Sequence, residues 1–528
     1  MARLSRILIL GPQIDRLDSL LNGTFRVVGV TETDFAQIKI KQESLFDANK
    51  RLNSAYRNDL FFIRDEKYLT LANLNYLREL PANQIIFDQN TSIADDQLKQ
   101  LFDLKNAQFV DSSDTDDLAN ELRRHFFSGQ LGYKFEMDSI EISPEFAGVV
   151  EQVGHNYLQI EADASDDWVE VLNWRLPIPI AKLTDWDIWI ENQVLNADTI
   201  VDFQIRLIGP ETGRTYYQKS VGLAELSKRH TISVAEEGGF ASIKLRLKGS
   251  NPSIKIGNVH LRQARNGRGE MMIGGNYISD KQNLDDQVLY YFDAADMKPP
   301  LNVYFSGFRP GEGYEGVFMM RSLQAPTLIF SDPRLLGGAF YLGSAHFEQK
   351  IVDVIKKTVQ RLGFKPNEVI LSGLSMGTFA AMYYSSKMQV DWVIVGKPLA
   401  NVGVIASNER INRQDDFPTS LDLVLGMTGG VSPENMATAN QRFWQSFKSQ
   451  DYSHTGFVFS YMYNDDYDGK AFGQLSKYLH EHEPFARVRH KGLVGRHNDD
   501  TNGIVNWYLR QYRDILSNEY GREFGDVQ

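Results

Sequence analysis

Not one cysteine occurs among the 528 residues, which removes disulfides, thiolate metal sites and cysteine nucleophiles together. Long apolar runs are missing as well: no stretch approaches the ~20 residues that a membrane-spanning helix needs. The N-terminal tract Ile7-Leu8-Ile9-Leu10 follows basic residues, but it stops at Gly11-Pro12. It is too short for the apolar centre of a signal peptide and reads as a first buried β-strand. Positive charge is in deficit, with 56 Lys and Arg against 68 Asp and Glu, a net charge of −12. That balance argues against a general affinity for nucleic acid or anionic lipid. No G-x-G-x-x-G follows the first strand, which leaves little for a dinucleotide to hold. No metal-ligand spacing stands out either, and neither a repeat nor a low-complexity segment appears.

What remains is an ordinary globular composition, 42% hydrophobic and 23% charged, in a chain longer than one hydrophobic core usually supports. Three textures follow one another. Over residues 1–132, short apolar runs at Arg6–Leu10, Leu60–Arg64, Gln84–Phe87 and Gln108–Val110 read as buried strands. Helical patterns at Ile93–Phe102 and Asp114–Phe127 complete a small α/β domain suited to structural or partner-docking work. Over residues 133–266 the pattern alternates at Tyr157–Ala162, Trp168–Leu176, Asp187–Val194, Ile200–Leu207, Thr215–Val221, Ser242–Lys248 and Ile254–Leu261, as in a β-sandwich. Four tryptophans fall there, Trp168, Trp174, Trp186 and Trp189. They either fill the space between the sheets, the preferred reading, or stack on sugar rings as a carbohydrate-binding face.

Over residues 267–528, strands and helices alternate in the βαβ manner of a parallel sheet covered on both faces. Leu301–Phe305, Thr327–Phe330, Trp392–Val395, Gly456–Tyr463 and Ala486–Lys491 are the expected strands. Within this region lies Gly373-Leu374-Ser375-Met376-Gly377. Five letters alone mean little, but a buried strand at Asn367–Ser372 precedes them and a helix beginning at Thr378 follows. Strand, sharp turn and helix are what a nucleophile elbow requires. Small residues let the turn close, so that the Ser375 hydroxyl stands clear and the Met376 N–H faces a developing oxyanion.

A serine needs a base and an orienting acid, in the chain order Ser, acid, His. Of the histidines after Ser375, His454 precedes a strand, His480 and His482 lie on a charged helix end, and His490 lies within a strand. His497, in the polar turn Gly495–Asp500, has the loop placement a catalytic imidazole needs. The acid is expected after the preceding strand, where Asp465, Asp466 and Asp468 cluster. Asp466 is favoured and Asp465 is next, and at least one of the three serves only to cap a helix near Lys470. A second oxyanion donor is expected from the glycine-rich turn after Phe305, as the amide of Gly307 or Phe308. The chemistry is acyl transfer through a serine ester. It calls for no cofactor or metal, and the same residues would serve a hydrolase.

Taken together, Phe305–Arg309 with Glu312–Gly316, the Gly373–Gly377 elbow, Val395–Leu399 and Gly495-Arg496-His497 resemble the second accessory Sec protein family of Gram-positive bacteria. That resemblance implies an α/β-hydrolase-like parallel-sheet domain preceded by a β-sandwich and a small N-terminal α/β domain. It implies an O-acetyltransferase acting on N-acetylglucosamine of serine-rich-repeat adhesins. It also implies a cytoplasmic protein, peripheral to the membrane, working with the other accessory Sec proteins, the motor ATPase and the channel. Ser375 and His497 match the family's nucleophile and base, while its carboxylate falls in the Asp465–Asp468 cluster without a unique match. The alternatives are a non-catalytic export scaffold that binds glycosylated adhesin and a carbohydrate esterase of the same fold.

Overall fold

The computed structural model describes residues 5–127, 129–174, 178–226, 229–234, 238–412, 417 and 419–524. Leu60–Ile63 is buried at every position, as a central parallel strand must be when both faces are covered. It sits in a five-stranded parallel sheet ordered Phe25–Val30, Ser5–Leu10, Leu60–Ile63, Ile85–Asp88, Gln108–Val110. Phe25–Val30 was not expected as a strand. One helix begins later than the periodicity suggests, at Asp96, because the Asp95 carboxylate accepts from the Gln97 and Leu98 N–H groups and so caps the first turn.

The alternating middle of the chain forms two six-stranded antiparallel sheets packed face to face. One is built around Ser253–Gln263 and Asp185–Val194, the other around Gly239–Gly249 and Ile200–Ile208. Three of the four tryptophans, Trp174, Trp186 and Trp189, lie in the core between the sheets. Trp168 is 39% exposed, with the Lys248 ammonium 4.8 Å from its ring centre. The expected Trp168–Leu176 strand runs Ser165–Trp174, and residues 175–177 lie outside those described.

The remainder is an eight-stranded sheet ordered Gly275–Asp280, Asp286–Asp293, Thr327–Ser331, Leu301–Phe305, Val369–Leu374, Trp392–Gly396, Gly456–Met462, Arg487–Leu493. The first two strands are antiparallel additions that the sequence reading missed, and the other six are parallel. The helix Met376–Ser385 is buried at all ten positions. A helix apolar all round is a core element, and here Phe379 packs against Phe443, ring centres 5.1 Å apart. The chain is thus a mixed α/β protein in which a five-stranded parallel sheet and a largely parallel eight-stranded sheet accompany antiparallel ones. Among the described residues no helix is long and apolar enough to cross a membrane.

Buried cations stitch these sheets together. Lys105 Nζ donates to the Leu80 and Ala295 carbonyls at 2.7 and 2.8 Å, and burial lowers its pKa to about 8. Arg265 is 2% exposed and donates to the carbonyls of His125, Phe127, Gly129 and Met271. Burial pulls its pKa down with no carboxylate opposing it. Arg265→Met should therefore destabilise the folded chain by about 2–4 kcal/mol, because it orphans several buried carbonyls at once. Urea unfolding checks this: the midpoint should fall clearly below wild type.

Candidate active site

Ser375, the Asp465–Asp468 turn and His497 each follow the C-terminal end of a parallel strand, so the sheet itself gathers them at one edge. Ser375 has φ 51° and ψ −120°, a conformation that L-residues rarely hold. Packing enforces it. A Cβ on Gly373 would stand 2.4 Å from the Gly377 carbonyl carbon, and one on Gly377 would stand 1.9 Å from the Phe305 oxygen. The turn therefore presses against the neighbouring strand with no room for a side chain on either flank.

Ser375 Oγ lies 2.8 Å from His497 Nε2, and His497 Nδ1 lies 2.6 Å from Asp465 Oδ2. The imidazole is buried, 1% exposed, beneath the Tyr467 ring. The acid in contact is Asp465, where Asp466 was expected. The strand before it ends at Met462 rather than Tyr463, so the turn begins one residue earlier and Asp465 becomes its first inward carboxylate. Burial works to raise the Asp465 pKa. The His497 hydrogen bond and charge, with the Asp468 and Tyr467 N–H groups, hold it below the ordinary carboxylate value. Asp466 accepts from Arg496 Nε at 2.7 Å and from the His497 backbone N–H at 3.1 Å, which braces the loop. Asp468 accepts from the Ala400 and Asn401 amides at 2.9 and 2.7 Å, which ties the Lys397–Asn401 loop to the acid turn.

Met376 opens its helix, where N–H groups have no intrahelical partner. The expectation for Gly307 needs correcting, because its N–H donates to Glu315 Oε2 at 3.2 Å. The same oxygen accepts from the Tyr304 hydroxyl at 2.6 Å. The turn does pass close to the nucleophile, since a Cβ on Gly307 would lie 4.0 Å from Ser375 Cβ.

Two groups escaped the sequence reading. Glu315 is one, its pKa raised by burial. The other is Lys397, whose φ is 61°. Burial lowers the Lys397 pKa while Asp465 and Glu315 oppose that shift. Both residues lie inside motifs that the sequence offers, but neither carries a mark that sets it apart from surface charge. The assembly can transfer a proton from hydroxyl to imidazole, with a carboxylate fixing which imidazole nitrogen accepts.

By architecture, then, the chain is a mixed α/β protein with a serine, histidine and aspartate hydrogen-bonded in series at one sheet edge. The model of the accessory Sec system GspB-transporter family matches residues 15–522, and the chain belongs to that family. An accessory Sec system protein of Staphylococcus aureus (strain NCTC 8325 / PS 47) is 34% identical over 467 residues, 88% of each chain. Another, from Streptococcus gordonii, is 36% identical over 420 residues, 79% of this chain and 81% of its own. A chain of the glycosylation-associated protein complex of Streptococcus agalactiae superposes with a TM-score of 0.83 at 31% identity, covering 98% of this chain and 99% of that one.

Gly377→Ala should be severe for a single methyl group, costing about 2–4 kcal/mol or displacing the elbow, since over-packing a closed site strains it. Thermal unfolding combined with Ser375-dependent ester turnover checks this, and a variant as stable and as active as wild type would contradict the packing argument.

Proposed function

We propose that the eight-stranded sheet is an α/β-hydrolase-like catalytic domain whose serine carries an acyl group from a donor to a sugar hydroxyl. The observation that supports this best is the Ser375–His497–Asp465 series at 2.8 and 2.6 Å. It is mounted on an elbow with the backbone of a nucleophile turn. His497 Nε2 takes the Ser375 proton as Oγ bonds to the acyl carbon. The Met376 and Phe308 N–H groups face the oxyanion, and the leaving group departs with the proton from His497. In the second half, His497 deprotonates the acceptor hydroxyl, which attacks the acyl-serine. The new ester leaves and Ser375 recovers its proton.

Within the family, the acceptor in this reading is N-acetylglucosamine on serine-rich-repeat adhesins and the group moved is acetyl. The S. agalactiae relative belongs to a complex of glycosylation-associated proteins, which supports an assembly with other accessory Sec proteins. The motor ATPase, the channel and the adhesin are further proposed partners, at the cytoplasmic face of the membrane. In this reading residues 1–132 dock partners, 133–266 form the β-sandwich and 267–528 carry the chemistry. A second reading, an export scaffold with a dispensable triad, draws on the family's description as a transporter.

One experiment separates them: co-expression with the adhesin, measuring both glycan acetyl content and export. Ser375→Ala and His497→Ala should each lower acetylation by about 10⁴-fold or more while the chain stays folded, because members of such a unit fail together. Near wild-type acetylation in a folded Ser375→Ala chain would leave only the scaffold. A further comparison tests the acid: Asp465→Asn should approach a ~10⁴-fold loss through the wrong imidazole tautomer. Asp466→Asn, whose carboxylate accepts from the His497 backbone N–H and from Arg496, should cost far less, and the reverse order would return the role to Asp466.

A further inference from the structure

The glycine-rich turn from Ser306 to Gly316, which carries Phe308, is held from outside its own sheet. Glu312, midway along it, is 2% exposed and lies against the β-sandwich. Its Oε1 lies 2.7 Å from His260 Nδ1, and its Oε2 accepts from Arg262 Nε at 2.9 Å. Both partners come from the strand Ser253–Gln263. His260 Nε2 in turn lies 3.0 Å from Glu191 Oε1 on the strand Asp185–Val194, and Arg262 Nη1 reaches Glu270 Oε1 at 2.7 Å and Gln287 at 3.0 Å. Arg229 completes the set on Glu270 at 3.2 Å.

Three carboxylates thus face two guanidiniums and an imidazole with almost no water contact. Burial opposes the charge on both Glu312 and His260, yet the attraction of Arg262 and His260 for Glu312, and of Glu312 and Glu191 for His260, prevails. The Glu312 pKa falls to about 2, and that of His260 rises. With a glutamate oxygen facing each ring nitrogen, His260 is placed to donate from both, one to each glutamate.

The constraint passes along the chain from there. Two residues on, both backbone groups of Tyr314 pair with the side chain of Gln130, its N–H donating to Oε1 at 2.6 Å and its carbonyl accepting from Nε2 at 3.2 Å. Between them, the Gly313 carbonyl accepts from Ser331 Oγ at 2.6 Å. Glu315 then reaches back across the turn to hold the Gly307 N–H. A path of fixed hydrogen bonds therefore runs from the sandwich to the peptide adjoining Phe308.

We propose that the Glu312–His260–Arg262 cluster is a positioning device, through which the β-sandwich sets the oxyanion-facing turn, with Gln130 securing its other flank. This inference rests on the acyl-transfer reading above. None of these side chains touches the reacting atoms. Their effect is on where an N–H points, and a displacement near 1 Å in such a group costs about 10²-fold in rate.

The test uses the full-length chain, p-nitrophenyl acetate as the ester and phenylboronic acid as a tetrahedral mimic that needs the same N–H donors. His260→Leu, which removes both imidazole bonds, should lower kcat by about 10–100-fold with KM changed less than about threefold. It should weaken phenylboronate binding by a similar factor. His260→Gln, which can still donate to one glutamate, should recover most of that loss. Gln130→Ala is the half-buried variant that keeps the cluster intact, and it should give a smaller drop of about 3–10-fold with the same split between kcat and KM. It decides the matter if His260→Leu does not fold.

Ser375→Ala serves as the reference arm. Should it keep wild-type turnover, the acyl-transfer reading fails and this inference falls with it. If Ser375→Ala is inactive while folded His260→Leu or Gln130→Ala turns over like wild type, the positioning role alone is overturned. A loss of kcat with unaltered phenylboronate affinity overturns it equally, since the turn would then not be what moved.

Discussion

The site depends on one steric constraint, the absence of room between the Ser375 elbow and the Phe305 carbonyl. Because a Cβ on Gly377 would sit 1.9 Å from that oxygen, the turn can close only as a glycine-flanked bend with Ser375 at positive φ. Everything nearby is arranged around that closure. Phe305 stacks on Phe330 and Tyr384 at 5.2 and 5.6 Å, which holds the strand that the elbow presses upon. The wholly buried helix Met376–Ser385 behind it leaves the elbow no direction in which to relax. Strain of this kind persists only where surrounding packing over-determines it. Here it does so on both sides.

Parallel topology supplies the second half of the arrangement. Three parallel strands, Val369–Leu374, Gly456–Met462 and Arg487–Leu493, bring Ser375, Asp465 and His497 to the same edge, so the freedom left lies in the turns that follow them. The acid turn shows how narrow that freedom is. Asp465, Asp466 and Asp468 stand within four positions, and each has a different partner: the imidazole, the Arg496 guanidinium with the His497 backbone, and the Ala400–Asn401 amides. One carboxylate orients the ring while the other two hold the loops on either side of it. Their environments diverge accordingly. The Asp465 pKa is held down despite burial, whereas that of Asp468 rises because burial outweighs its amide partners.

How far the sequence discloses this follows from the range of each interaction. The elbow is legible because its requirements are local, two small residues around a serine between an apolar strand and a helix. His497 is legible because chain order and loop placement leave it few rivals. The acid is not, since it turns on where one strand ends, and a shift from Tyr463 to Met462 exchanges one aspartate for its neighbour. Asp286–Asp293, although missed, was legible from its unbroken apolar run Val288–Phe292, whereas Phe25–Val30 and Gly275–Asp280 went unread for a related reason. Short strands with polar interruptions have no periodicity of their own and are defined by the partners they find. The contact between His260 and Glu312 is further still from view, joining a strand of the sandwich to a turn 52 positions away.

That cluster also changes what the sandwich means. Its buried tryptophans act as core, and its most costly investment lies at the face it turns toward the eight-stranded sheet. Taking three carboxylates, two guanidiniums and an imidazole out of water carries a desolvation penalty that their mutual attraction has to offset. Apolar side chains of similar volume would often stabilise such a site as well or better. Stability is therefore a poor reason for the cluster to exist. Geometry is a better one, because each pair is directional and fixes the turn in register as well as in distance, which an apolar contact does not. A sandwich joined this way cannot shift against the eight-stranded sheet without moving Glu312, and Glu312 cannot move without disturbing the turn beside Ser375. The sandwich strands that carry Glu191, His260 and Arg262 are thus tied mechanically to the turn beside Ser375.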